Sequence, residues 1–266
     1  MCLIVVAWQV HPDYPLAVAA NRDEWYARPT APAAPWSDAP DILAGRDLEA
    51  GGTWLGLTRG GRFAAVTNVR EGRNAPKGTH SRGSLTRAFL AGDATPEDYL
   101  AELADAPFER YSGFNLLVAD GDTLGYLSNR DPAGKDGGQG RASRVRLLPP
   151  GIYGVSNHLL DTPWPKLTSA KAAFAQALSR LPDPAPCLAL LADDEIVPDA
   201  CLPDTGVGLE WERRLSSVFV RGTAEVAYGT RASTVALRRR DGAVLLHEQA
   251  FGPGGAEGPP VILGTL

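Results

Sequence analysis

A chain of 266 residues with 44% hydrophobic and 21% charged side chains has the composition of an ordinary globular protein with ample core. Its formal net charge of -5, with basic residues scattered apart from Arg238 to Arg240, lacks the basic footprint of a nucleic-acid-binding surface. Three cysteines without close pairing, Cys2, Cys187 and Cys201, exclude a disulfide framework and a zinc knuckle and suit a reducing compartment.

Residues 2–10, CLIVVAWQV, are short, β-branched and aromatic, and read as a buried strand. HPDYP is a turn and LAVAANRD a second strand, so the chain opens as a hairpin. No Lys or Arg precedes the apolar run, and His11, Pro12 and Asp13 interrupt it, so it reads as part of the mature fold of a cytoplasmic protein. No stretch has transmembrane length. From Arg28 to Pro40 the Pro- and Ala-rich sequence predicts a long ordered loop anchored by Trp36. GGTWLGLT and RFAAVTN form a second hairpin about a glycine turn.

Helices follow. Ser81 is a candidate cap for RGSLTRAFLA, which stops at Gly92, and Thr95 with Pro96 and Asp98 starts PEDYLAELADA. FNLLVAD and TLGYLSN make a third hairpin, and DPAGKDGGQG reads as a flexible loop. SRVRLLP and GIYGVSN are strands. PWPKLTSAKAAFAQALSRL and PCLALLADD are a second helical pair. SSVFVRG, RASTVALRRR and AVLLHEQAF close the chain as strands. There is no internal repeat and no composition break, which predicts one domain over residues 1–266, with two antiparallel sheets carrying helix layers.

The chemistry concentrates at a few positions. Cys2 stands directly behind the start methionine, whose removal would leave thiol and free amine on one residue. An amine of pKa about 7.7–8.0 is a suitable base near neutrality, and a thiol at about 8.5 needs only a modest push to ionise. One residue then supplies nucleophile and base. NRDEWY, Asn21 to Tyr26, ends the second strand with four polar side chains, Asn21 and Asp23 on one face and Arg22 and Glu24 on the other. A carboxylate there is within reach of the first strand and can orient the amine. Asn68, Asn157 and Arg231 also intrude into apolar strands: the amides can donate to an oxyanion, and the guanidinium favours a thiolate. Taken singly, each is better explained as a strand-end turn residue. Phosphate-binding loops and dinucleotide fingerprints are absent, and the four histidines have no ligand spacing.

MCLI, VAANRDEWYARP, GGTWLGL, AAVTN, RGSL, GFNLLVAD, YGVSNHLLDTPWPKL and YGTRASTV occur in that order. Together they resemble the NRDE family, also called the transport and Golgi organisation protein 2 family, from Cys2 to about Val235. The resemblance implies an α+β fold of the N-terminal-nucleophile hydrolase type: a four-layer αββα sandwich of two stacked antiparallel sheets flanked by helices. Family members are linked to secretion, to mitochondrial and lipid metabolism and to haem movement, with no reaction assigned.

A more distant resemblance is to the cysteine amidases that hydrolyse bile salts and penicillin V. Their leading cysteine corresponds to Cys2, their strand-end aspartate to Asp23, their oxyanion asparagines to Asn68 and Asn157, and a late arginine to Arg231. The place of their early arginine is held by Ala20 or Asn21, and Arg22 enters the candidate set from the next position, on the opposite face.

The expected function is an N-terminal-nucleophile amidohydrolase acting on a linear, non-peptide amide or related acyl bond. It needs no metal or organic cofactor, and its partner is a small molecule, without nucleic acid or membrane insertion; a homo-oligomer is compatible with it. Arg231 and the protonated amine should make Cys2 more reactive than Cys187 or Cys201. The alternative is a carrier holding haem or an acylated metabolite in the same cleft, with Cys2 or His158 as axial ligand and Trp54 and the rings of NRDEWY as walls.

Overall fold

Strand β1 (Cys2–Trp8) is apolar at nearly every position because both of its faces are covered. Ile4, Val6 and Trp8 face one core, and Leu3, Val5 and Ala7 face another. Strand β2 (Leu16–Trp25) repeats the pattern, with Leu16, Val18 and Ala20 on the first side and Ala17 and Ala19 on the second. A strand pair buried on both faces sits between two layers, and the rest of the chain supplies them. The computed structural model describes residues 2–72, 75–131, 145–223 and 225–264.

One sheet has six strands in the order β10-β1-β2-β11-β12-β13, formed with β10 (Gly151–Val155), β11 (Tyr228–Arg238), β12 (Val244–Gly252) and β13 (Gly255–Gly264). The other has seven in the order β3 to β9: β3 (Thr30–Trp36), β4 (Ala39–Asp47), β5 (Leu55–Thr58), β6 (Phe63–Asn68), β7 (Phe114–Ala119), β8 (Leu124–Ser128) and β9 (Val145–Leu147). Every pairing is antiparallel. The largest core cluster, with Trp8, Leu57, Phe63 and Tyr126, lies between the sheets.

Helices α3 (Pro165–Ala177) and α4 (Ala185–Leu191) cover the outer face of the first sheet through Leu167, Phe174, Cys187 and Leu191. Helices α1 (Gly83–Ala91) and α2 (Pro96–Asp105) cover the second through Leu85, Phe89 and Leu100. The result is the αββα sandwich. Among the described residues no helix is long and apolar enough to cross a membrane.

Several local expectations are corrected. The stretch from Arg28 to Pro40 is largely strand: β3 and the start of β4. Its prolines, Pro32 and Pro35, are tolerated because β3 is a sheet edge, and the register breaks beside them. Strand β13, carrying Pro259 and Pro260, is the edge of the other sheet. SSVFVRG is no strand. Its Val218 and Val220 are buried in a loop whose backbone is held by side chains: Asn21 donates to the Val218 carbonyl at 2.9 Å and the Val220 N–H donates to Thr230 Oγ1 at 2.9 Å. A short helix, α5 (Leu209–Arg214), precedes it. The glycine-rich loop expected over 131–140 lies, from 132 onward, outside the described residues.

Ser81 does not cap α1: the cap position is Arg82, without a side-chain bond, and the Ser81 carbonyl accepts from Ser84. Thr95 does cap α2, its oxygen accepting the Asp98 N–H at 3.1 Å. Thr95→Ala is therefore expected to cost about 1 kcal/mol in urea unfolding, whereas Ser81→Ala stays within about 0.5 kcal/mol.

Candidate active site

Antiparallel pairing brings the informative positions to one rim. Cys2 begins β1, so its neighbours are the end of β2, the end of β10 and the start of β11. Cys2 pairs with Arg22, and Thr230 pairs with Asp23. Asn68 ends β6 in the facing sheet. Between them opens a cavity of about 610 Å³ lined by Cys2, Arg22, Asp23, Glu24, Trp54, Asn68, Arg82 and Tyr228, among others.

Strand alternation sorts these groups. Arg22 shares the inter-sheet face with its partner Cys2 and lies over the Trp54 ring at 4.3 Å, donating to Thr30 Oγ1 at 3.2 Å. Asn21 and Asp23 turn to the helix side. Asn21 donates to the Leu191 carbonyl at 2.8 Å and accepts from Ser233 at 2.6 Å, which makes it a brace for α4. Asp23 is 2% exposed and accepts from Thr230 Oγ1 at 2.7 Å.

Burial pushes the Cys2 thiol above its ordinary range, and Arg22 and a hydrogen bond from the Asp23 backbone N–H pull against it without reversing it. Burial likewise raises the Asp23 carboxyl, opposed by Lys166, the Thr230 hydroxyl and Arg70.

Asn157, at the turn after β10, is fully buried in the left-handed region at φ 59°, a conformation asparagine tolerates better than most residues. It does not line the cavity. Its Nδ2 donates to Asn68 Oδ1 at 2.9 Å, and its carbonyl accepts the Arg70 N–H at 2.7 Å. With Oδ1 so engaged, Asn68 has Nδ2 left to donate toward the cavity. Asn68 is thus the amide at the wall and Asn157 the group that orients it.

Arg231 lies elsewhere. The β2–β11 register shifts between Thr230 and Ala232, so Arg231 is the extra residue of a bulge, and a bulge re-aims its side chain. Its guanidinium donates to the carbonyls of Trp25, Tyr26 and Arg28 at 3.1, 2.9 and 3.2 Å, pinning the chain between β2 and β3. It lines a second cavity of about 420 Å³, which shares Arg22 and Trp54 with the first. Among the described residues, Arg22, Arg82 and Lys166 act electrostatically on Cys2. His158 is exposed and bonded to Thr162; the histidine on the cavity wall is His80.

Lys166, Arg70 and Glu212 are not among the candidate residues, although Lys166 lies in the motif YGVSNHLLDTPWPKL. They form a buried charge cluster on the helix side of Asp23. Lys166 Nζ donates to the Leu215 carbonyl at 2.8 Å, and Arg70 donates to the same carbonyl at 3.2 Å. Arg70 also pairs with Glu212 at 2.5 Å. Burial, with Arg70 beside it, pushes Lys166 down to about 7, against the pull of Asp23. The one sequence signal was a lysine at the second position of an otherwise apolar helix start, PWPKL. Among the described residues no group of three His, Cys, Asp or Glu side chains is placed to hold a metal ion.

A four-layer sandwich with a cysteine, a buried aspartate and an asparagine pair at one rim defines the class. The transport and Golgi organisation 2 family matches residues 1–253, and the chain belongs to it. It is 38% identical over 273 residues to the Bos taurus transport and Golgi organization protein 2 homolog, covering 94% of this chain and 93% of that one. It is 35% identical to the Homo sapiens homolog over 270 residues, at the same coverage of both chains. The Drosophila melanogaster protein of that name is 28% identical over 274 residues, covering 89% of this chain and 87% of its own.

Among solved structures, an N-acylethanolamine-hydrolyzing acid amidase ortholog of Caenorhabditis elegans aligns with a TM-score of 0.49 at 13% identity, over 88% of this chain and 92% of that one. The C2A mutant of a conjugated bile acid hydrolase from Clostridium perfringens aligns with 0.48 at 11% identity, over 100% and 92%. A likeness at this level says nothing about activity.

The depressed Lys166 has a consequence for stability. Between about 7 and its ordinary 10.5 the unfolded chain holds a proton that the folded chain has released. Stability contributed by Lys166 therefore rises with pH through that window and is lowest below it. The expected outcome is that the wild-type chain gains stability relative to Lys166→Met as pH rises from about 7 toward about 10, read from urea titrations across the range.

Proposed function

We propose that the protein is an N-terminal-nucleophile amidohydrolase that cleaves a linear, non-peptide amide or related acyl bond with Cys2. The observation that supports this reading is one cavity lined by Cys2, Asp23 and Asn68 together. The reaction begins once whatever precedes Cys2 has been removed and its nitrogen has become a free amine.

The thiol needs a base in contact with it to lose its proton, and the amine of the same residue is covalently fixed at that distance. Sγ attacks the carbonyl carbon as the amine takes its proton. The carbonyl oxygen gains charge and is met by Asn68 Nδ2, whose orientation Asn157 sets. The C–N bond breaks as the amine passes the proton to the leaving nitrogen. Water then cleaves the thioester, giving the carboxylic acid and restoring the thiol. Asp23, fixed by Thr230, holds the amine in register for both transfers.

The reading is tested on protein whose intact mass shows a Cys2 terminus, against a panel of linear amides and lactones. Cys2→Ala is expected to abolish turnover, and Asp23→Asn to lower kcat by about 10²-fold or more. Asn68→Ala is expected to lower kcat by roughly 10²–10³-fold with little change in KM. Turnover by a chain that retains residue 1, or turnover that survives Cys2→Ala, would overturn the mechanism. A carrier gives the opposite pattern: no turnover on any substrate, and haem titration indifferent to Asp23→Asn.

A further inference from the structure

Three arginines line the cavity around Cys2, and they differ in what already occupies them. Arg28 is committed: its Nε is 2.8 Å from Asp47 and its Nη1 is 3.2 Å from Glu49. Arg22 is wedged against Trp54, bonded to Thr30, and 3.9 Å from Glu24. Arg82 is different. Among the described residues its one side-chain hydrogen bond is from Nη1 to the Gly113 carbonyl at 3.1 Å, and no carboxylate there lies within salt-bridge distance of it. A guanidinium has five N–H donors in a flat fork that matches an oxyanion. One carbonyl leaves most of that fork unused.

Its position is rigid. The carbonyl of Gly83, the next residue, accepts from the Thr53 N–H at 3.3 Å and from Thr86 Oγ1 at 2.8 Å. A Cβ on Gly52 would meet the Gly83 backbone at 2.4 Å, so the loop before β5 and the start of α1 touch with no room for a side chain. Arg82 is thereby held on the cavity wall before any ligand arrives. The helix it begins has no side-chain cap and no acidic residue in its first turn, so nothing there offsets the positive end of its dipole. Ser81, Arg82 and Gly83 all line the cavity. Burial pushes the Arg82 guanidinium down, and Cys2 and Glu24 pull it back up, which places its charge in electrostatic reach of the thiol. Of the carboxylates that line the cavity, Asp47 and Glu49 are taken by Arg28, Glu24 lies 3.9 Å from Arg22, and Asp23 accepts from Thr230 on the helix side.

We infer that Arg82 forms a subsite for an anionic group, a carboxylate or a phosphoryl group, so that the molecule bound beside Cys2 is an anionic amide rather than a neutral one. The inference rests on the hydrolase reading for the word amide. The anion preference itself is a binding property and stands or falls separately. Charge-assisted hydrogen bonds of this kind are strong enough to dominate the choice between otherwise identical ligands.

The test uses the full chain carrying Cys2→Ala, so that binding is read without turnover, and three isosteric probes: N-hexanoylglycine, N-hexanoylaminomethylphosphonate and the neutral N-hexanoylglycinamide. Calorimetry is expected to give about tenfold or tighter binding of an anionic probe than of the neutral one, weakened by added salt. The carboxylate and phosphonate arms say which anion is preferred. Arg82→Gln should remove the preference while keeping the affinity for the neutral probe, and Arg82→Lys should retain part of it. Equal affinity for all three probes, no binding of any, or a preference that survives Arg82→Gln would overturn the subsite. The probe comparison needs no substitution at Arg82, so a folding defect in that variant does not decide the result. Turnover by the chain with Cys2 intact separates the two readings: anion preference without turnover keeps the subsite and removes the hydrolase, and turnover without preference does the reverse.

Discussion

The register of β1 against β2 is the constraint on which the site depends. Cys2 opposite Arg22 means that the thiol and the guanidinium share the face between the sheets, while Asp23, one residue on, must point to the helix side. A slip of one residue would exchange those faces and bury the polar groups in the wrong core. Two buried faces on each strand forbid the slip: Ile4, Val6 and Trp8 fit one core, and Leu3, Val5 and Ala7 fit the other. Packing energy of the whole sandwich thus holds a few polar atoms at the rim in place.

Those polar atoms are expensive. Asp23, Lys166, Arg70 and Glu212 are each 5% exposed or less, and burying charge is favourable only when partners and hydrogen bonds replace water. The cluster is densely tied: Arg70 to Glu212 and to the Leu215 carbonyl, Lys166 to the same carbonyl, Asp23 to Thr230. Hydrophobic residues would serve stability better at these places. Asp23, Lys166 and Arg70, shifted by burial and gathered behind a cavity lined by Cys2, are the usual mark of a functional site.

How much was legible depends on where the determining contact lies. The helix starting at Pro96 is fixed by Thr95 and Asp98, neighbours in sequence, and the sequence shows it. The proline-rich stretch after Arg28 reads as loop, because proline weakens a strand everywhere except at an edge, and edge position is a property of the whole sheet. SSVFVRG reads as strand because its valines are buried. What it lacks is a ladder: one backbone bond, from the Thr230 N–H to the Val220 carbonyl at 2.8 Å, joins it to β11, whose residues from Ala232 onward are paired with β12.

The candidate site divides in the same way. The sequence by itself marked Asn68, Asn157 and Arg231 as polar intrusions into apolar strands, and Cys2 and Asp23 as candidates beside them, since an unpaired polar residue in such a run is costly wherever the strand goes. Only the tertiary structure decided which amide reaches the cavity, because the Asn157 amide is spent on Asn68 across two sheets. It also decided that Arg231 turns away, since a bulge is set by pairing rather than composition. Arg82 and Lys166 look like ordinary helix-end cations until the fold removes their water and brings Cys2 near. Chain order records which groups exist, and long-range register chooses which of them meet.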